Sequence, residues 1–153
     1  MTTKKNESKR KLPTELCYSL ATRQFSRLLG RVYHKHMHPC GISAGDFAIL
    51  EFLSQCGEMT MVDLARRLVM DRTTLVRTLK PLQDEGYVVA QPDPVEPRRL
   101  NIVLTAGGET KRREATPLWE AAQEEVERMI GKTQASALRV SIGSAVHEGK
   151  ETA

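Results

Sequence analysis

Residues 60–105 read TMVDLARRLVMDRTTLVRTLKPLQDEGYVVAQPDPVEPRRLNIVLT, and this stretch decides the fold. Its first part predicts a short helix that begins after Thr60, because Asp63 stands three residues on, as in a capping box. The apolar residues of this helix recur at helical spacing; they are Met61, Leu64, Ala65 and Leu68. The stretch therefore opens with an amphipathic helix, and its polar side carries Arg66.

A second helix follows a break at Val69 and Met70, and Asp71 is its predicted N-cap. Three leucines share one face of a helical wheel: Leu75, Leu79 and Leu82. Arg72 lies in the opening turn, and the polar side carries Thr73, Arg77 and Lys80, with Thr74 at its margin. Such side chains can reach base edges and phosphates in a major groove. Pro81 predicts a kink rather than an end, because the leucine spacing continues across it.

A small β-hairpin is predicted next. Gly86 ends the helix, Tyr87–Ala90 and Ile102–Leu104 form two strands, and the three prolines of residues 91–101 argue against a regular ladder between them. Arg98 and Arg99 lie near the hairpin tip, where they would meet phosphates or a minor groove. The order helix, turn, helix, hairpin predicts a winged helix-turn-helix, in a mainly α chain with a small β wing.

Charge along the chain is uneven. Residues 66–80 hold five basic residues and one acid, whereas residues 114–127 hold five acids and no base. An ordinary solvated face does not explain why the basic residues coincide with the helix-turn-helix, so the pattern favours nucleic-acid binding. The candidate DNA-contacting residues are Arg66, Arg72, Thr73, Thr74, Arg77, Lys80, Arg98 and Arg99.

Several runs resemble the MarR family of bacterial transcription regulators. They are Met70–Leu75, Leu79–Leu82 with Gly86–Val88, Asp93–Pro94 with Arg98–Arg99, and Leu104–Gly108. The resemblance implies a homodimer in which the first and last helices interleave, presenting two recognition helices to a palindromic duplex DNA site. It also implies a wing-tip ion pair between Glu96 and Arg98, although this chain has Glu96-Pro97-Arg98 where the family usually has Asp-x-Arg.

Length and patterning agree with a single domain. The chain has 153 residues, a formal net charge of +4 and 40% hydrophobic residues. We expect a disordered basic tail over 1–12 and one domain over 13–153, with the winged helix-turn-helix at about 43–105 and dimerisation helices at about 13–39 and 106–150. The first helix is predicted to start near Thr14, and the predicted helix caps are Ser43 with Asp46, Thr105 and Thr133.

Other function classes lack support in the sequence. No apolar run approaches bilayer length, so we expect a cytoplasmic protein without membrane contact. No glycine-rich phosphate loop, His-Glu-x-x-His motif or nucleophile with an evident base is present, so we expect neither an enzyme nor a cofactor. The alternative function is a metal- or ligand-binding helical protein that uses the motif for protein contacts.

Three cysteines, Cys17, Cys40 and Cys56, argue against structural disulfides in a cytosolic chain. Cys17 is a candidate redox sensor, because it is expected in the first turn of the first helix, where the helix dipole favours a thiolate. The run Leu16-Cys17-Tyr18 also resembles the peroxide-sensing branch of the family. A small apolar role in packing is the alternative.

A histidine cluster and an expected cleft are the other sensor candidates. His34 and His38 would share a helix face, and with His36 they could either bind a divalent metal or form a solvated helix end. The resemblance further implies a cleft between the dimerisation helices and the DNA-binding lobe that takes a small aromatic or apolar effector.

Overall fold

The computed structural model describes residues 17–151; the predicted tail and the predicted helix start near Thr14 lie outside them. The elements run in the order α1 Tyr18–Met37, a 3-10 turn His38–Cys40, α2 Ala44–Cys56, β1 Met59–Thr60, α3 Met61–Leu68, α4 Arg72–Asp84, β2 Val88–Pro92, β3 Leu100–Leu104, α5 Ala106–Ile130 and α6 Lys132–Glu151. The described residues thus form a mainly helical protein with one small sheet, as predicted.

Side-chain caps set where several of these helices begin. Ser43 forms a full capping box, in which its Oγ accepts from the Asp46 amide at 3.1 Å and its amide donates to Asp46 Oδ2 at 2.8 Å. Thr105 Oγ1 accepts from the Gly108 amide at 3.0 Å and caps α5. The predicted Thr133 cap is wrong: α6 begins at Lys132, because the Gly131 carbonyl already accepts the first helical bond from Ala135 at 2.9 Å.

The sheet has three antiparallel strands in the order β1-β3-β2. Two residues of β1 pair with β3 at Met59↔Ile102 and Thr60↔Asn101, a strand that the sequence did not reveal. The β2–β3 ladder reaches Pro92↔Leu100, so the prediction of an irregular connection from residue 91 onward is wrong. Proline is tolerated there because β2 is an edge strand and its missing amide removes no bond to a second neighbour.

The main core lies between α2, α4, the sheet and the first half of α5. All three predicted leucines of α4 are buried, at no more than 2% exposure. Phe47 of α2 stacks on Trp119 of α5 with a ring-centroid distance of 5.4 Å. A second, smaller cluster joins α1 to α5 through Val32, Ala122 and Val126. α5 therefore belongs to both clusters and links α1 to the lobe formed by residues 43–105.

The start of α5 is pressed against the wing. A side chain at Gly108 would place its Cβ 2.0 Å from the Tyr87 carbonyl oxygen, which only glycine avoids. Thr105 Oγ1 also lies 2.6 Å from the Gly86 carbonyl oxygen, to which it can donate. These contacts leave no room between the first turn of α5 and the beginning of β2.

Helix α6 leaves several large apolar side chains exposed. Val140 is 67% exposed and Ile142 is 49% exposed, and Leu138 and Val146 are also exposed.

Among the described residues, no helix is long and apolar enough to cross a membrane.

Candidate nucleic-acid interface

Helix α4 presents the predicted polar face. Asp71 Oδ1 accepts from the Thr74 amide at 2.8 Å and caps the helix. This bond and a second one from the Thr74 hydroxyl lower the pKa of Asp71. Thr73, Thr74, Arg77 and Lys80 are exposed, as the helical wheel predicts, and the helix continues through Pro81 to Asp84. The N-terminal half of α4 is therefore capped and displays hydroxyl and cationic groups.

The turn before α4 holds an unusual backbone conformation. Val69 ends α3 with φ 54° and ψ 45°, in the left-handed region that β-branched residues avoid. Such a conformation costs about 1–3 kcal/mol and persists only where the surroundings enforce it. Here the Met70 amide donates to the Ala65 carbonyl at 2.9 Å and closes the turn. The angle between α3 and α4 is thereby fixed by hydrogen bonds and packing.

The tip of the wing is a turn held by hydrogen bonds to Asp93 and Arg99. Asp93 Oδ1 accepts from the amides of Val95 and Glu96, both at 2.8 Å. The Asp93 amide donates to the Arg99 carbonyl at 2.9 Å, and the Arg99 amide donates to the Glu96 carbonyl at 2.8 Å. Because the turn brings residues three apart together, Glu96 pairs with Arg99. The predicted pairing of Glu96 with Arg98 is therefore wrong.

Four of the predicted residues meet around one groove. Arg66, Arg72, Arg98 and Arg99 line an open groove of about 400 Å³ between the start of α3, the start of α4 and the wing. Arg66 is paired with Asp63 at 3.1 Å, and Arg99 with Glu96, but both arginines are well exposed. Arg72 and Arg98 form no ion pair with any residue in the described part of the chain. The groove therefore concentrates positive charge that neighbouring acids only partly balance.

The other predicted basic residues lie farther along α4. Arg77 is exposed and without an ion pair among the described residues, whereas Lys80 pairs with Asp84 one turn on. Arg77 can therefore contact a ligand without breaking an ion pair, whereas Lys80 must first break its ion pair with Asp84.

Cys17 immediately precedes α1 and is its N-cap, not a member of the first turn as predicted. Its thiol is exposed. The Cys17 side chain forms no capping hydrogen bond, but the nearby backbone amides of Leu20 and then Ser19 lower the pKa of Cys17. Cys40 differs, since it is half-buried and its Sγ donates to the Met37 carbonyl at 3.0 Å. Cys17 therefore combines an exposed thiol with a lowered pKa.

The three histidines at the end of α1 and in the following 3-10 turn have different partners. The rings of His34 and His38 lie 5.1 Å apart, but His36 Nε2 bonds Glu125 Oε2 of α5 at 2.6 Å. Within the described residues, no group of three histidines, cysteines or acids is placed to hold a metal ion.

A cavity of about 380 Å³ lies between α1 and the start of α2, and Tyr33, Met37 and Ile42 are among its lining residues.

Comparison with known proteins places the chain in a family. The MarR family model matches residues 41–99. The chain is similar to the Mycobacterium tuberculosis transcriptional regulator MosR, whose structure was solved in complex with DNA. The two sequences are 30% identical, and the structures superimpose with a TM-score of 0.78 over 90% of this chain and 98% of MosR.

Two curated relatives match over shorter stretches. The multiple antibiotic resistance protein MarR of Escherichia coli is 31% identical over 78 residues, 51% of this chain and 54% of that protein. The proline dehydrogenase transcriptional activator of Rhizobium radiobacter is 35% identical over 66 residues, 43% of this chain and 42% of that protein. These matches span about half of each relative's length. Because the likeness to MosR extends over almost its whole length, and the family model falls on the helix-turn-helix and wing, the chain belongs to the MarR family of winged helix-turn-helix transcriptional regulators.

Proposed function

We propose that this protein is a homodimeric repressor that binds a palindromic site in double-stranded DNA and works in the cytoplasm. The observation that carries the proposal is the position of the exposed Thr and Arg face of α4 beside the arginine-lined groove and the wing. A major groove admits a helix, and the sugar-phosphate backbone that borders it would then pass through the basic groove.

The side chains divide into two roles. Thr73 and Arg77 project from the first turns of α4 and are placed to contact base edges, where arginine can bond guanine twice. Thr74 is tied to the Asp71 cap and has less freedom. Arg66, Arg72, Arg98 and Arg99 surround the groove and would contact phosphates or a minor groove, and Lys80 would add a further phosphate contact.

The apolar side chains that α6 leaves uncovered support dimerisation. Its exposed apolar side chains have a natural partner in the same helices of a second copy, which would bury them. A two-fold dimer would place two α4 helices about 34–36 Å apart, one turn of duplex DNA. The operator would then be palindromic.

Two features support a sensor. The cavity between α1 and α2 has apolar walls from Met37 and Ile42, suited to a small aromatic or apolar effector. Cys17 is the candidate for peroxide sensing, because its thiol is exposed and its pKa is lowered by backbone amides. We expect that replacing Cys17 with Ser preserves DNA affinity and abolishes any loss of binding in a peroxide titration; an equal response from parent and variant would remove Cys17 from the mechanism.

The test is capture of sheared genomic duplex DNA by the purified protein at moderate salt, followed by titration of the recovered fragment. We expect a palindromic fragment, a complex with two protein chains, and an affinity that falls steeply with salt. Alanine at Arg98 should make the slope of log K against log salt shallower by roughly one unit. Failure to bind any duplex would instead support a helical protein that uses the motif for protein contacts.

A further inference from the structure

Asn101 is the second residue of the central strand β3 and is almost completely buried. Its side chain is only 5% exposed, between β1 on one side and β2 on the other. Its Nδ2 donates to Asp93 Oδ2 at 3.0 Å. Its Oδ1 is buried and accepts no hydrogen bond from any residue in the described part of the chain. The amide cannot be reversed without cost, since Oδ1 would then face the carboxylate.

A buried acceptor without a donor destabilises the folded state. An apolar residue of similar size at position 101 would avoid that penalty and would suit a strand better. Folding alone therefore does not explain Asn101. What this side chain provides is its bond to Asp93.

Asp93 is the residue from which the wing turn is built. One carboxylate oxygen accepts from two turn amides, those of Val95 and Glu96, and the other accepts from Asn101. The Asp93 amide also donates to the Arg99 carbonyl. Asn101 in turn pairs with Thr60 of β1, the cap of α3. Strand pairing and hydrogen bonds thus connect the helix-turn-helix through Asn101 and Asp93 to the arginines of the wing.

We propose that Asp93 and Asn101 are positioning residues that hold the wing arginines in place relative to α4, although neither touches DNA. The inference rests on the proposed DNA-binding function. Without the pair, the wing turn samples many conformations, and DNA binding must order it each time.

Two variants separate positioning from charge. Asp93→Asn removes a negative charge close to the DNA, so electrostatics alone would tighten binding. Positioning has the opposite sign: a neutral amide oxygen accepts more weakly than a carboxylate from the turn amides, and the bond to Asn101 survives only if the Asn101 amide reverses and buries Nδ2 without an acceptor. Glu96→Gln is the matched control: it removes the same charge from the same turn and releases Arg99, and it should tighten binding.

Asn101→Leu separates positioning from stability. It deletes the unpaired buried oxygen, while Asp93, which is half-buried, regains water at Oδ2. We expect the melting temperature to stay the same or rise, while DNA affinity falls by about tenfold, the equivalent of one charge-assisted hydrogen bond. A residue that only supports the fold would lower both together.

The experiment measures melting temperature, hydrogen exchange of the Val95 and Glu96 amides, and binding to sheared genomic duplex DNA across a salt series. Asn101→Leu and Asp93→Asn should exchange faster at both amides, bind more weakly and give a salt slope shallower by roughly one to two units. Parental exchange rates, or parental affinity and slope in Asn101→Leu, would overturn the proposal. If the parent binds no duplex, the proposed function fails, whereas the exchange measurement still decides whether the pair anchors the wing.

Discussion

The lobe formed by residues 43–105 and the terminal helix α6 differ in how far they bury their apolar side chains. In the lobe, Leu64 and Leu75 are fully buried. Leu79 and Leu82 are at most 2% exposed. In α6, Val140 and Ile142 keep about half or more of their surface exposed. The lobe is closed by residues of its own chain, whereas α6 carries apolar surface that its own chain does not cover.

This difference separates two kinds of mutational effect. A change in the lobe core acts on the folding of one chain, so its effect is independent of protein concentration. If α6 forms the proposed dimer interface, a change on α6 acts on association, and its effect depends on concentration. Variants of the two regions can therefore test whether the division is real.

The largest effect is expected for Leu79→Ala. Leu79 is 1% exposed, so truncation leaves a cavity and should lower the free energy of unfolding by about 2–5 kcal/mol. Urea denaturation followed by circular dichroism measures it. Val76→Ala on the exposed side of the same helix is the control, with a change within about 0.5 kcal/mol. Equal effects would mean that the lobe core is not closed.

Ile142→Asp should act on association alone. A charge in the proposed dimer interface should weaken self-association by about 2 kcal/mol or more, while the lobe keeps its fold. Sedimentation at several concentrations would show the apparent mass shifting toward that of one chain. A variant with parental mass at every concentration would remove α6 from the interface.

Arg77→Ala should leave both regions folded and affect only DNA. We expect a loss of about 1–3 kcal/mol of specific binding and a relaxed preference at one position in each half-site. Titration of the captured fragment and of single-base variants measures both. Arg128→Ala, which removes the same charge from an exposed position on α5, is the control and should keep the parental preference.

The smallest effect is expected at Glu109, which joins the lobe to α5. Arg112, then Arg113 and Ser54, donate to its carboxylate and lower its pKa to about 2. Because the folded-state pKa is below the ordinary 4.5, the stabilisation is present above about pH 4.5 and is lost as the pH falls toward 2. Glu109→Gln should flatten the pH dependence of unfolding in that window. Glu124→Gln controls for net charge, and an unchanged profile in Glu109→Gln would contradict the assignment.

Local signals in the sequence predicted the helices of the lobe well. Ser43, Thr60, Asp71 and Thr105 cap the helices that they were expected to cap, because the bonds involved join residues three apart. The leucine periodicity of α4 likewise identified its buried face. Each of these features depends only on neighbours within one turn of helix.

Features that depend on distant pairing escaped prediction. Strand β1 has two residues and no pattern of its own, and it exists because Ile102 and Asn101 lie beside it. The extent of β2 through Pro92 depends on which strands flank it. The partner of Glu96 depends on the turn that Asp93 builds, and that turn depends on a bond to Asn101, eight residues away. Candidate DNA contacts could be read from residue type and helix face, but the groove that collects four of them could not.

The absence of a side chain at Gly108 has a mechanical consequence. The first turn of α5 is in direct contact with Tyr87, which precedes β2. We therefore expect the wing and the start of α5 to move as one body. From Gly108 to Ile130 the helix rises about 1.5 Å per residue, so its far end is about 33 Å from this contact. A tilt of about 5° in α5 therefore moves its far end by roughly 3 Å. Because Gly108 holds the first turn of α5 against Tyr87, we expect a displacement where α5 meets α6 to change the angle of the wing, and Pro117 inside α5 is the point where the helix could bend instead.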